Sequence, residues 1–515
     1  MKNKIKHVLF LSVILFSVAS CIDDKGNYDY TEIEDAIVEI QEVKENGGKI
    51  SRDRYAELSF NPEIQYQAGS SVDDYNFEWS LYTQQSQKDD DDAYIPKKII
   101  GDKPQLSYKL IDEPDKYYVV LKVTHKETGS CTDYRFELNV NSMAGWLIYD
   151  EVAGGDGDFQ IIRDREIVPE LSSIQTGIVR NYFSTANGGK KLQGGKFLGR
   201  RNMNNRYDHL YLFKEDGMYK MKAGTYEVIT EDYSTLFSTQ PAKNAPMALY
   251  YPSPMYGQVE VFVNNNEMYT IRWNMLGQED KYTTLIGAFG TAYKVNPFIA
   301  PVPVTGNTVR AVLYNDISNA RGQFITINSS GAAGFPRTPD GKFNTGAINM
   351  NESMQLKLEY LGQGRDGITC ALFKDELNAG KFSLYTADFR DVSKPLALEI
   401  YDLGDLQDID DAKYFTFGTR GDVLFYATTS KVYSYVFDGA VTELLSTPGE
   451  EIVSMKLYTH SANEDYSGRM LFVATYDGSV GKVYKIKFNE LNGQLDGEIE
   501  EYTGFGRIID MMNKE

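Results

Sequence analysis

Histidine, tryptophan and cysteine are scarce in this chain of 515 residues, at four, three and three copies. So few imidazoles and thiols leave little material for a metal centre or a nucleophilic triad. No H-E-x-x-H zinc site, C-x-x-C pair, G-x-S-x-G elbow or Walker-type phosphate loop is found. Basic residues are also short, with 53 Lys and Arg against 73 Asp and Glu, for a formal charge of −20. That balance excludes nucleic acid as a partner, which requires basic patches. Long apolar runs are missing too. The one sustained run, residues 8–16 (VLFLSVILF), is far shorter than the roughly 20 residues that span a bilayer. What the chain has instead is 37 tyrosines, 26 phenylalanines and 44 glycines, a composition that points to strands and turns.

The short apolar run has a function of its own. Lys2, Lys4 and Lys6 precede it, and Val18, Ala19 and Ser20 follow it. This is the layout of a secretory signal peptide covering residues 1–20. Cys21 directly after the small residues makes the site resemble a lipobox, so Cys21 is the expected lipidation site, with anchoring made stable by several acyl chains. Loss of the three lysines deepens the negative charge by three. Residues 21–33 are polar and acidic and read as a lipidated tether. The sequence Ile22-Asp23-Asp24 resembles the acidic signal that sends lipoproteins to the outer surface.

Residues 34–142 carry short segments that alternate apolar with polar residues, the mark of half-buried strands. They fall at 36–40, 55–60, 76–81, 117–124 and 134–140, with Glu127-Thr128-Gly129-Ser130 as a turn. Length and strand count suit an immunoglobulin-like sandwich with Trp79 mid-strand in its core. The stretches FEWSL, YYVVLKVTHKETG and FELNV are similar to a PKD-like domain. The opening CIDDKGNYDY (21–30) resembles that of PKD-like family lipoproteins, which are encoded beside SusC/SusD-like transporters. This resemblance implies an outer-membrane, surface-exposed accessory of a nutrient-uptake system. Its partner would be a SusC/SusD-like transporter. The acidic charge favours a neutral glycan or a peptide as ligand, and the missing motifs lead to the expectation of no cofactor and no catalytic activity.

From residue 143 to 515 a unit repeats: an apolar strand, a turn, then a second strand. First strands begin at 146, 209, 259, 309, 368, 423 and 470. A period near 50 residues with several short strands marks a β-propeller, here of seven blades, whose faces are buried only against neighbours. Closure requires a strand from one end of the chain to complete the blade at the other. The tail supplies a candidate in Arg507-Ile508-Ile509-Asp510. The whole is therefore expected to be all-β, a PKD/Ig-like sandwich followed by a seven-bladed propeller.

Candidate sites are aromatic. Tyr250, Tyr251 and Tyr256 lie in a proline-stiffened segment, Tyr293 in 288–303 and Phe335 in 334–343. Rigid aromatics on propeller loops suit sugar faces and peptide side chains. Packing between blades is the commoner fate of such residues. His125, His209 and His460 read as structural. Cys131 and Cys370 are expected to be buried thiols that behave as small hydrophobes. The acidic runs 88–92 and 402–411 read as solvated loops, and 154–158 (GGDGD) as a hairpin rather than a calcium loop. No metal is expected. The alternative to a binding protein is a surface hydrolase, which needs only two carboxylates; 402–411 is its densest source. The S-x-D-x-G-x-T-W turns of propeller sialidases are absent.

Overall fold

A computed structural model describes residues 35–83, 98–169, 176–202, 208–251, 259–272, 280–284, 293–302, 309–315, 323–329, 331, 333–334, 357–375, 381–391 and 395–515. The chain divides into two compact units, Met1–Asn141 and Ser142–Glu515. Cys21, the tether, the 88–92 run, Tyr256 and Phe335 lie outside the described residues.

The first unit is built on a five-stranded sheet. Its order is Lys49–Asp53, Cys131–Asn141, Lys116–His125, Tyr75–Thr83 and Lys98–Gly101. Strand pairs Glu57–Phe60 with Leu106–Lys109, and Ile37–Glu39 with Glu63–Gln65, complete the sandwich. Alternation decides which side faces the core. In Lys116–His125, residues Tyr117, Val119, Leu121 and Val123 are buried and the residues between them are less so. Trp79 is fully buried. Its indole N–H donates to the Lys103 carbonyl at 2.9 Å, and its ring stacks on Phe60. Gly129, at φ +73°, occupies the left-handed position that the 127–130 turn requires. Cys131 departs from expectation. It is exposed, because it opens its strand on the outward side, where burial alternates until Phe136. Cys370 is buried, as expected.

The second unit contains seven four-stranded antiparallel sheets among the described residues, the blades of a propeller. The strand pairs legible in the sequence are the middle two of each blade. Examples are Gly145–Glu151 with Gly157–Arg163 in blade one and Met470–Tyr476 with Gly481–Lys487 in blade seven. Gly145–Glu151, Gly157–Arg163 and Met470–Tyr476 are buried on both faces because neighbouring blades sandwich them, whereas Gly481–Lys487 alternates. The inner strands, in blade order, are Arg507–Lys514, Gly195–Arg201, Pro246–Tyr250, Ala300–Pro301, Lys357–Gln363, Tyr414–Phe417 and Glu451–Leu457. Apolar clusters fill the spaces between blades. One joins Trp146, Ile148 and Ile162 of blade one to Met470, Phe472 and Val483 of blade seven.

Closure uses the tail. Arg507–Lys514 pairs with Gly145–Glu151, from Gly145 opposite Lys514 to Glu151 opposite Arg507. The last strand of the chain is thus the innermost strand of the first blade. Gly506 permits the approach, since a Cβ there would meet the Glu151 carbonyl at 2.4 Å. Trp146 stacks on Phe472 with centroids 3.9 Å apart, and its N–H points to Met511 Sδ.

The entering segment is clamped at the same place. Lys514 Nζ donates to Ser142 Oγ, Tyr226 Oη to the Met143 carbonyl, and Arg163 Nε to the Ala144 carbonyl. Lys514 is 1% exposed. Burial, and then the cations Arg200 and Arg163, pull its ammonium down to about 7, against a partial rise from Asp208. An unfolded chain releases this proton only near 10.5. Between those values the unfolded state holds the extra proton, so stability rises with pH, by at most about 1.4 kcal/mol per unit from this group. Denaturant unfolding from pH 7 to 9.5 is expected to show that rise, and Lys514→Met is expected to flatten it.

Candidate functional site

The most concentrated polar chemistry lies between blades two and three. Arg201 ends the inner strand of blade two and Glu260 is the second residue of Val259–Asn264 in blade three. Both are 0% exposed. Arg201 Nε donates to Glu260 Oε2 at 2.7 Å and Nη2 to Oε1 at 3.0 Å, a bidentate pair. Its Nη1 donates to Asp280. Lys220 Nζ reaches the other Asp280 oxygen at 2.9 Å, and Tyr282 donates to Glu260. The rings of Tyr211 and Tyr282 each lie 5.5 Å from the Arg201 guanidinium. Each buried charge therefore has a partner, the condition under which burial is tolerated.

The network sets the protonation of its edge. Burial, then the Lys220 and Arg201 cations, hold His209 down to about 3, so its imidazole is neutral at physiological pH even with Asp280 at 3.7 Å. Burial, then Arg201, lowers Lys220 to about 8, with Glu260 opposing. The nest offers a neutral imidazole, a lysine that titrates close to physiological pH and two cation-bound carboxylates. Such a fixed array of donors and acceptors can orient a polar ligand.

Of the aromatics singled out in the sequence, Tyr251 borders this nest and donates its hydroxyl to the Asn202 carbonyl. Tyr250 ends the inner strand of blade three, half-buried against the apolar cluster between blades three and four. Tyr293 packs on the same cluster, and its hydroxyl accepts from Met268 N at 3.2 Å. The structure thus brings Tyr250 and Tyr251 to the end of one strand, and Tyr250 and Tyr293 to one apolar cluster. Sequence reasoning missed Arg201, Glu260, Lys220 and Asp280. One signal existed: Glu260 is a lone acid inside the apolar run VEVFV.

The other acids are dispersed. In 402–411, Asp402 accepts from Gly404 N, Asp408 from Tyr433 Oη, and Asp410 lies 3.8 Å from Lys374. Leu403 and Ile409 bury the turn between them. Asp158 of the GGDGD hairpin accepts from Ser184 N and pairs with Lys191 at 2.8 Å. His125 packs edge-on to Tyr75, and His460 Nδ1 accepts from Ala462 N. Among the described residues, no group of three or more His, Cys, Asp or Glu could hold a metal ion.

Fold and site together define a class, a two-unit, nearly all-β protein in which a PKD-like domain is followed in sequence by a seven-bladed propeller. Residues 21–195 match the family described as PKD-like, a span that covers the first unit from residue 21 on and three of the four strands of the first blade. No curated protein matches the chain. Among solved structures, a quinonprotein alcohol dehydrogenase-like protein from Bacteroides thetaiotaomicron is similar at 10% identity and TM-score 0.40, over 93% of this chain and 99% of that one. The WD40 domain of SCAP from fission yeast is similar at 10% identity and TM-score 0.30, over 59% and 73%. At these scores neither bears on what the chain does.

Proposed function

We propose that the protein is a non-catalytic lipoprotein of the outer membrane, anchored through Cys21 and exposed at the cell surface. In this reading it serves a SusC/SusD-type uptake system, and its propeller binds cargo or the transporter. The observation that carries it is that the PKD-like match begins at Cys21, the residue where the signal sequence places cleavage. Binding is favoured over hydrolysis because the two carboxylates of the nest, Glu260 and Asp280, are each engaged by cations. A hydrolase would need one carboxyl free to give up a proton. The test is to tag the C-terminus, solubilise membranes in mild detergent and identify the proteins recovered. Recovery with a SusC/SusD-like pair, lost together with membrane attachment in Cys21→Ala, is the expected result. Recovery alone, under conditions that preserve known complexes, would sink the transporter association.

A further inference from the structure

Away from the nest, a cavity of about 290 Å³ lies among the inner strands of blades seven, one and two. Its chemistry comes from Lys456, Asp510 and Glu515, and its apolar wall from Leu198, Leu457 and Met512. Lys456 is on an inner strand, yet its side chain is 46% exposed. One of its three N–H donors is committed, to Asp510 Oδ1 at 3.0 Å. The other Asp510 oxygen accepts from Leu198 N at 2.8 Å. Asp510 is thereby fixed, and it holds the ammonium in place. Glu515 lies just beyond the end of the closing strand, where Ser461 N donates to one carboxylate oxygen at 2.7 Å and Ser461 Oγ to the other, with His460 Nδ1 3.9 Å from the first.

The lining thus offers a cation with donors to spare, a carboxylate at the strand end, and Leu and Met between. Trp146 also borders the cavity, but it is 1% exposed and stacked on Phe472, so no open aromatic face is presented to a sugar ring. The volume is at the lower limit for small-molecule sites, too small for an oligosaccharide. We propose that this cavity binds a zwitterionic amino acid or dipeptide with an aliphatic side chain. The ligand carboxylate pairs with Lys456, its ammonium with Glu515, and its side chain lies on Leu198, Leu457 and Met512. Charge-assisted bonds at both ends fix its orientation. The inference does not depend on membrane anchoring or on a transporter.

The experiment is calorimetric titration of the purified lipid-free chain (Cys21→Ala) with leucyl-leucine, its N-acetyl form, its C-terminal amide, and glucose. Free dipeptide is expected to bind, each capped form at least about tenfold more weakly, and glucose not at all. Lys456→Met is expected to lower affinity for the free dipeptide at least about tenfold, while Lys456→Arg retains most of it, with thermal midpoints reporting that both variants fold. The capped ligands test the idea on the unsubstituted cavity even if a variant is unstable. Absence of dipeptide binding, equal binding of the capped forms, or full binding by folded Lys456→Met would each overturn the assignment. So would glucose binding that Lys456→Met abolishes.

Discussion

A chain ending at Gly506 is expected to lose the propeller as a cooperative unit. The deletion removes Arg507–Lys514, and with it every backbone pair along Gly145–Glu151 on that side. It also removes Ile508 and Met511 from the cluster between blades seven and one, each contributing about 1.5–3 kcal/mol by burial. The inner strands of blades seven and two lose the strand that lies between them, along with the Asp510 contacts to Lys456 and Leu198. Together these losses rival the roughly 5–15 kcal/mol that hold a typical domain folded. Thermal melting followed by near-ultraviolet circular dichroism should show a broad, early transition. Thermolysin should cut the truncated chain within 142–506 while the complete chain resists. A sharp melt within a few degrees of the full-length midpoint would contradict the closure.

The second large effect comes from a point substitution. Arg201→Met is expected to destabilise by about 3–5 kcal/mol, because Glu260 is left charged, fully buried and without its bidentate partner. Asp280 loses one of its two cations. Adding Glu260→Leu should recover most of the loss, since a buried ion pair can often be replaced by apolar groups of similar volume at little cost. Urea unfolding of both single variants and the double variant closes the cycle. If the double variant is as unstable as the sum of the singles, the pair is not the unit of stability inferred here.

The sequence made some parts of this fold readable and hid others for physical reasons. The first of the two middle strands in each blade is buried almost throughout, so it stands out as an apolar run such as MLFVA or VLFYA. The inner and outer strands mix polar and apolar residues. Ala300–Pro301 and Thr283–Thr284 are two residues long, too short to produce any period. The closing strand was legible as RIID because a ring must close. The nest was not, because it draws Arg201, Lys220, Glu260 and Asp280 from four separate segments and no local spacing joins them. His209 reads as structural from sequence, and its neutral, cation-flanked imidazole in the structure is a product of that same hidden assembly.

The clamp on residues 142–144 also has a mechanical consequence. Any pull delivered through the chain ahead of Ser142 enters the propeller at the start of Gly145–Glu151 and runs along that strand. A load in this direction slides the strand past Arg507–Lys514 and Gly157–Arg163, so the ladder bonds resist together instead of opening one at a time. Lys514, Tyr226 and Arg163 tie the same segment to the closing strand, blade two and blade one, so part of the load passes to them. The seam that closes the ring is thus also where tension from the preceding chain enters it, so the strand that bears the load is hydrogen-bonded on both sides.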